Sequence, residues 1–237
     1  MSTAIKYAPR ELTDVIYPNH AVHVRITAYA RGEMDGHLIL WGPNGTGKTT
    51  VANLLPYAIS GDSAWIESED FDELLSKKDL KSYLLNSCAV SRMSTSKKYF
   101  IVFHEFDNAK ANVSKFWTAL DKCGEDVMAI ITTNEPMQIH QSIRSRFDNI
   151  EFPKLKATQV LMRAQEILIA EGVTLPDQDV LHYLKQIENF GDLRKYFKKL
   201  DEIIFIVKNN MLLPVVPNSN SRKPSLSLVD NKFSVLI

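Results

Sequence analysis

Gly42, Pro43, Asn44, Gly45, Thr46, Gly47, Lys48 and Thr49 satisfy the spacing G-x-x-x-x-G-K-[ST], and the chemistry of that spacing is phosphate capture. Glycines let the backbone curl until successive N–H groups point inward, and a helix opening behind them adds roughly half a positive charge. Lys48 then reaches the β- and γ-phosphates of a nucleotide, Thr49 offers its hydroxyl to Mg²⁺, and Thr50 continues the first helical turn. Farther along, His104-Glu105-Phe106-Asp107 follows the apolar run Tyr99 to Phe103. Hydrolysis needs a carboxylate to position the attacking water, a role that fits Glu105, and usually a second one to hold Mg²⁺. His104 stands where that second carboxylate is expected, and a neutral imidazole suits a hard, oxygen-seeking cation poorly.

Three more polar points follow in a useful order. Thr133-Asn134 ends the apolar run that starts at Val127, which sets an amide beside the γ-phosphate at the carboxyl edge of a sheet, where α/β sheets bind ligands. Ser145-Arg146-Phe147, with Arg144 just before it, offers an arginine that can reach a phosphate held by a neighbouring subunit. Gly191-Asp192-Leu193-Arg194 opens a later helix and aims Arg194 back toward the nucleotide. A lone exposed arginine is most often a solvated surface residue; the order of these points gives them weight.

Holding such groups takes a sheet. Leu38 to Trp41, Ala64 to Glu67, Tyr99 to Phe103, Val127 to Thr132 and Phe147 to Phe152 read as strands, while Thr50 to Ala58, Asp70 to Val90 and Asn112 to Lys122 have helical spacing. Apolar strands alternating with helices predict an α/β fold, a parallel sheet covered by helices, with the phosphate motif on a strand-to-helix turn. Beyond Pro153 the strands stop, and Thr158 to Ala170, Asp177 to Glu188 and Leu193 to Val207 read as three amphipathic helices. The chain is therefore expected to divide into a nucleotide-binding domain over 1–153, a small helical lid domain over 154–209 and a C-terminal tail over 210–237. Pro214, Pro217 and Pro224 break regular structure in that tail, and its end, Phe233 to Ile237, is apolar enough to dock.

The 28 basic and 28 acidic residues cancel, so any nucleic-acid binding has to come from a local patch rather than from bulk charge. No stretch approaches the length and apolarity of a membrane span and the first residues lack a secretory core, so the expected location is cytoplasmic, with no membrane partner. Cys88 and Cys123, the only cysteines, read as two reduced core thiols. The six histidines form no recognisable metal set, and Trp41, Phe103, Phe116 and Trp117 lie in apolar patterns that suit a core better than base stacking.

Taken together these motifs resemble an AAA+ ATPase, and within that group the small ATPase subunits of sliding-clamp loaders, the replication factor C type. The resemblance covers about residues 6 to 208 and includes Lys6-Tyr7-Ala8-Pro9, similar to the family's leading K-Y-R-P segment beside the adenine. It implies that Tyr7 and Pro9 help bind ATP, that Lys48 and Thr49 are the P-loop residues, that Glu105 is the catalytic glutamate and that Asn134 is the sensor-1 residue. It further implies that Arg146 is the trans-acting arginine finger, that Arg194 is the sensor-2 arginine, and that ATP with Mg²⁺ is the ligand. His104 replaces the usual Walker B aspartate, Ala8 the arginine of the leading segment, and Phe147 the cysteine after the finger. The family's third, collar-forming helical domain is not expected, because only the short tail follows residue 210.

The leading expectation is an oligomeric, clamp-loader-like ATPase that binds and hydrolyses ATP to load or remodel a protein on DNA. Its partners would be copies of itself or related AAA+ subunits in a ring or spiral, a sliding clamp or other DNA-bound client, and primer-template or duplex DNA. One alternative is an ATP-holding assembly or adaptor subunit in which His104 weakens hydrolysis; another is a helicase loader or transposition regulator. The DNA surface would be Lys77, Lys78 and Lys81, although the flanking Asp72, Glu73 and Asp79 suit a solvated mixed-charge face equally well.

Overall fold

The computed structural model describes residues 1–68, 78–104, 114–213 and 225–226. In chain order the helices are α1 (Thr3–Lys6), α2 (His20–Arg31), α3 (Lys48–Ser60), α4 (Leu80–Met93), α5 (Ser114–Cys123), α6 (Gln141–Arg144), α7 (Ala157–Ala170), α8 (Asp177–Lys185) and α9 (Leu193–Lys208). The strands are β1 (His37–Trp41), β2 (Trp65–Ser68), β3 (Tyr99–Phe103), β4 (Val127–Thr133), β5 (Phe147–Glu151), β6 (Val173–Thr174) and β7 (Ser225–Leu226). Two compact units result, one formed by Pro9–Lys154 and the other by Met1–Ala8 with the chain from Leu155 onward.

The first unit is built on the expected parallel sheet, in the order β2-β3-β4-β1-β5. Successive side chains leave a strand on opposite faces, so runs apolar at every position need cover on both sides. Leu38, Leu40, Phe100, Val102, Met128 and Ile130 form one core with α2 and α3 residues such as Ile26, Val51 and Leu55. Ile39, Ile101, Phe103, Ala129 and Ile131 form the other with Leu84, Phe116 and Leu120 from α4 and α5. Each fully buried Leu or Ile stabilises the fold by about 1.5–3 kcal/mol. Phe103 and Phe116 meet edge to face at 5.4 Å, in keeping with the core reading of these aromatics.

Helix α2 was not anticipated, because its buried residues Val22, Ile26 and Tyr29 stand among His20, His23, Arg25 and Arg31, which dilute the apolar stripe. Its ends carry the missing signal. The Asn19 side chain accepts from Val22 N at 2.9 Å, and Gly32 closes the helix at φ 74°. The helical segment expected from Asp70 and that from Asn112 are described only from residues 78 and 114, where α4 and α5 account for them.

In the second unit α7, α8 and α9 supply the three expected helices. Residues 1–8 belong here and not with the sheet, to which the sequence reading assigned them. Thr3 N donates to Asp201 Oδ1 at 2.9 Å and Thr3 Oγ1 to Phe197 O at 3.2 Å, which fastens α1 along α9. Glu171, just past α7, accepts from Lys6 Nζ at 2.6 Å, Tyr7 OH at 2.9 Å and Lys208 Nζ at 2.7 Å. These partners hold its carboxyl down at about 2, Lys208 contributing most, then Lys6. The tail, expected to be irregular, contributes Ser225–Leu226, which pairs antiparallel with β6 because an extended edge supplies unpaired backbone groups. The apolar end, Phe233 to Ile237, lies outside the described residues. Among those described, no helix is long and apolar enough to cross a membrane.

Candidate nucleotide-binding site

Strand register builds the phosphate site. Trp41 at the end of β1 pairs with Thr133 of β4 on one side and Glu151 of β5 on the other, so the chain leaves the sheet at Gly42 beside Asn134 and Phe152. This crevice, at the carboxyl ends of β1 and β4, is where the strand order reverses. Gly42 N donates to Thr133 O at 3.3 Å and Phe152 N to Trp41 O at 2.7 Å. Only glycine fits at position 42: φ is 139°, and an added Cβ would lie 2.2 Å from Phe152 O.

From Gly42 the loop passes Pro43, Asn44, Gly45 and Thr46, whose buried hydroxyl donates to Pro43 O at 2.9 Å. Gly47, at φ 93°, turns the chain into α3, so the N–H groups of Lys48, Thr49 and Thr50 open the helix with no intrahelical acceptor. Lys48 is buried at 7% exposure, its ammonium donating to Gly42 O and Pro43 O at 2.7 Å and to Asn134 Oδ1 at 3.2 Å. Thr49 is exposed. A helix N-terminus, a lysine and an adjacent hydroxyl fit a triphosphate carrying Mg²⁺, with Thr49 the residue to hold the metal.

The other predicted residues fall in distinct places. Phe103 pairs with Ile131, so the exposed His104 leaves β3 at the same edge of the sheet as Asn134. Glu105 and Lys77 lie outside the described residues. Arg146 stands at the opposite edge: the next residue, Phe147, pairs with His37 at the start of β1. Four residues of strand separate His37 from Trp41, about 13 Å. Arg146 Nη1 donates to Ser142 O at 2.9 Å, and Nε lies 3.7 Å from Asp121 Oδ1. Its neighbour Arg144 donates from Nη1 to Met137 Sδ at 3.0 Å.

Tyr7 and Arg194 belong to the helical unit, whereas Pro9 opens the α/β unit. Tyr7 spends its hydroxyl on Glu171. Arg194 is exposed in the first turn of α9, which Asp192 caps by accepting from Arg194 N at 2.8 Å. A cation there opposes the helix dipole, so helix stability does not account for it.

Lys78 and Lys81 are exposed, and sequence reasoning missed a companion. Lys122, on α5, feels the ammonium of Lys81, which pulls the Lys122 pKa down. It missed, too, an open cavity of about 450 Å³ where Leu12–Asp14 meets α2 and α3, lined by Arg10, Tyr17, His23, Arg31 and Tyr57 among others. Tyr17 and His23 stack there at 4.8 Å.

A parallel sheet with a glycine-rich turn feeding a buried lysine into a helix N-terminus defines a P-loop nucleotide-binding protein. Residues 38–155 match the sequence model of AAA, the ATPase family associated with various cellular activities. The replication factor C small subunit of Aeropyrum pernix is 28% identical over 211 residues, covering 86% of this chain and 62% of that protein. The sliding-clamp-loader large subunit of Escherichia phage RB69 is 28% identical over 207 residues, covering 83% and 62%. The replication factor C large subunit of Pyrococcus horikoshii is 26% identical over 206 residues, covering 84% and 42%. The chain thus spans less than two thirds of each of these relatives. The chain carries an AAA ATPase domain over residues 38–155.

Proposed function

We propose that this chain is an ATP-driven subunit of an assembly of AAA subunits that loads or remodels a protein on DNA, in the manner of a clamp loader. The observation that carries this reading is the opposite placement of Lys48 and Arg146 at the two edges of one sheet. Arg146 lies too far along β1 to reach a phosphate in its own cradle, so it serves the cradle of an adjoining subunit. Bound ATP supplies the phosphoanhydride, and the backbone N–H groups of Lys48, Thr49 and Thr50 orient its phosphates. Lys48 neutralises them, Thr49 holds Mg²⁺, Glu105 aligns the attacking water and Asn134 fixes it beside the γ-phosphate. Arg146 from the neighbour stabilises charge in the transition state. Tyr7, Pro9 and Arg194 take the ATP-binding and sensing roles that the family resemblance implies. Lys81 and Lys122, which repel one another, gain from a DNA phosphate between them, and the exposed Lys78 adds to that surface. The assembly acts in the cytoplasm.

Steady-state ATP hydrolysis tests the proposal, measured against protein concentration with and without primer-template DNA, beside Lys48→Ala. Turnover per chain that climbs with concentration, rises with DNA and needs Lys48 supports it. Turnover independent of concentration sinks the trans arrangement.

His104 favours a second reading, an ATP-holding subunit whose turnover is weak. Tight ATP binding without hydrolysis, together with a rate restored by His104→Asp, selects it.

A further inference from the structure

Arg146 stands just before β5, on a corner that is firmly held. Its backbone N–H donates to Ile143 O at 2.9 Å, and Ile143 and Phe147 are buried in one cluster with Phe116 and Leu120 of α5. Asn149 braces the same corner, its side-chain amide donating to Phe147 O at 2.9 Å and to Arg144 O at 3.1 Å. Asp121 follows Leu120 on α5, so the carboxylate and the arginine rise from a shared core. Arg146 Nε lies 3.7 Å from Asp121 Oδ1, and Nη1 donates to Ser142 O at 2.9 Å. We propose that Asp121 is the positioning residue for Arg146, holding its guanidinium in the pose from which it reaches a phosphate bound by an adjoining copy. That role rests on the reading of Arg146 as serving a neighbour's cradle.

A guanidinium is a planar fork of five N–H donors. Asp121 and Ser142 O engage Nε and Nη1, which sets the plane of the fork, and among the described residues Nη2 has no partner. A phosphate can therefore take Nη2 without displacing either support, in a charge-assisted hydrogen bond of the stronger kind. Asp121 is the one carboxylate paired with Arg146 among the described residues.

The fold itself has little use for this pair. The Asp121 and Arg146 side chains are 55% and 46% exposed, and an ion pair so open to water and salt adds little to stability. Phe116 and Leu120, both fully buried, already fix α5, with Phe116 edge to face against Phe103. What the carboxylate contributes is placement from a rigid helix. Released from it, the long arginine side chain samples other rotamers, and a displacement of about 1 Å in a catalytic group can cost about 10²-fold in rate.

The test uses the full chain in mixed pairs. A Lys48→Ala donor, which keeps Arg146 but has a disabled cradle, is combined with an Arg146→Ala acceptor, and ATP hydrolysis by the mixture reads the arginine delivered from one copy to the next. Asp121→Asn added to the donor should lower turnover at saturating ATP by ~10–100-fold, with the KM for ATP and the donor's melting temperature unchanged. Asp121→Glu in its place should restore most of the lost rate. An unchanged rate refutes the positioning role. A faster one makes Asp121 a latch that withholds the arginine, which overturns it equally, and so does a loss that excess donor abolishes, since that marks a weaker contact between copies. An inactive mixture of Lys48→Ala with Arg146→Ala brings down the trans reading of Arg146 and this role with it, a result told apart from the others because Asp121 is still intact.

Discussion

Lys48 Nζ donates to Asn134 Oδ1 at 3.2 Å, across from the first turn of α3 to the end of β4. The same ammonium rests on Gly42 O and Pro43 O, so in the function proposed an arriving phosphate would exchange with bonds already made, and Asn134 would sense that exchange through Lys48. Replacing Asn134 with alanine is expected to cut hydrolysis about 10²–10³-fold, the usual cost of losing a positioned polar group in the transition state. ATP affinity should stay within about tenfold, since one hydrogen bond to a charged group contributes roughly 1.5 kcal/mol. Equilibrium nucleotide binding and single-turnover kinetics separate the two effects.

Gly42→Ala forces a methyl onto Phe152 O and strains a backbone at φ 139°. A loss of about 2–4 kcal/mol is expected, from the close approach and the left-handed conformation together. A urea midpoint unchanged from wild type would mean that the turn leaving β1 at Gly42 is not held against Phe152 as described.

Arg146→Ala should bind ATP like wild type and lose at least about 10³-fold in turnover if the arginine acts in trans. Mixing it with Lys48→Ala provides the sharper measurement. The second variant has an intact Arg146 to lend and the first an intact cradle, so an assembly of identical copies regains activity that neither has alone.

Glu171 makes the helical unit sensitive to acid. Its carboxyl sits at about 2 when folded against an ordinary 4.5, so the unfolded chain takes up protons first as the pH falls. The stabilisation is complete above pH 4.5, shrinks on the way down and is gone below about 2. Glu171→Gln should melt lower than wild type at neutral pH, and the two curves should converge in that acid window.

Lys81→Ala combined with Lys122→Ala is expected to weaken binding to primer-template DNA uniformly across sequences. The slope of log K against log salt should become shallower by about 1.8, close to one counterion for each lost contact. An unchanged slope assigns these two lysines to solvent.

The sheet was legible because its strands are apolar at every position, and the cradle because its glycines and lysine keep fixed spacing. Strand order was not, since nothing local to Tyr99–Phe103 says that it pairs with Trp65–Ser68 and Val127–Thr133. The same limit hid the grouping of residues 1–8, which rests on Thr3 meeting Phe197 and Asp201 from the far end of the chain. Lys122 escaped notice because its neighbour Lys81 lies on another helix. Arg146 was legible as a residue type, whereas its edge of the sheet became visible only through the His37–Phe147 register.

That register has an arithmetic consequence for the assembly proposed. With a cradle at one edge and an arginine at the other, the contact between copies is head-to-tail, joining unlike surfaces instead of a patch to itself. A closed ring then has as many complete sites as subunits. An open spiral has one fewer, leaving a terminal cradle without its arginine and, at the other end, an arginine without a client phosphate, so counting active sites per particle distinguishes the two.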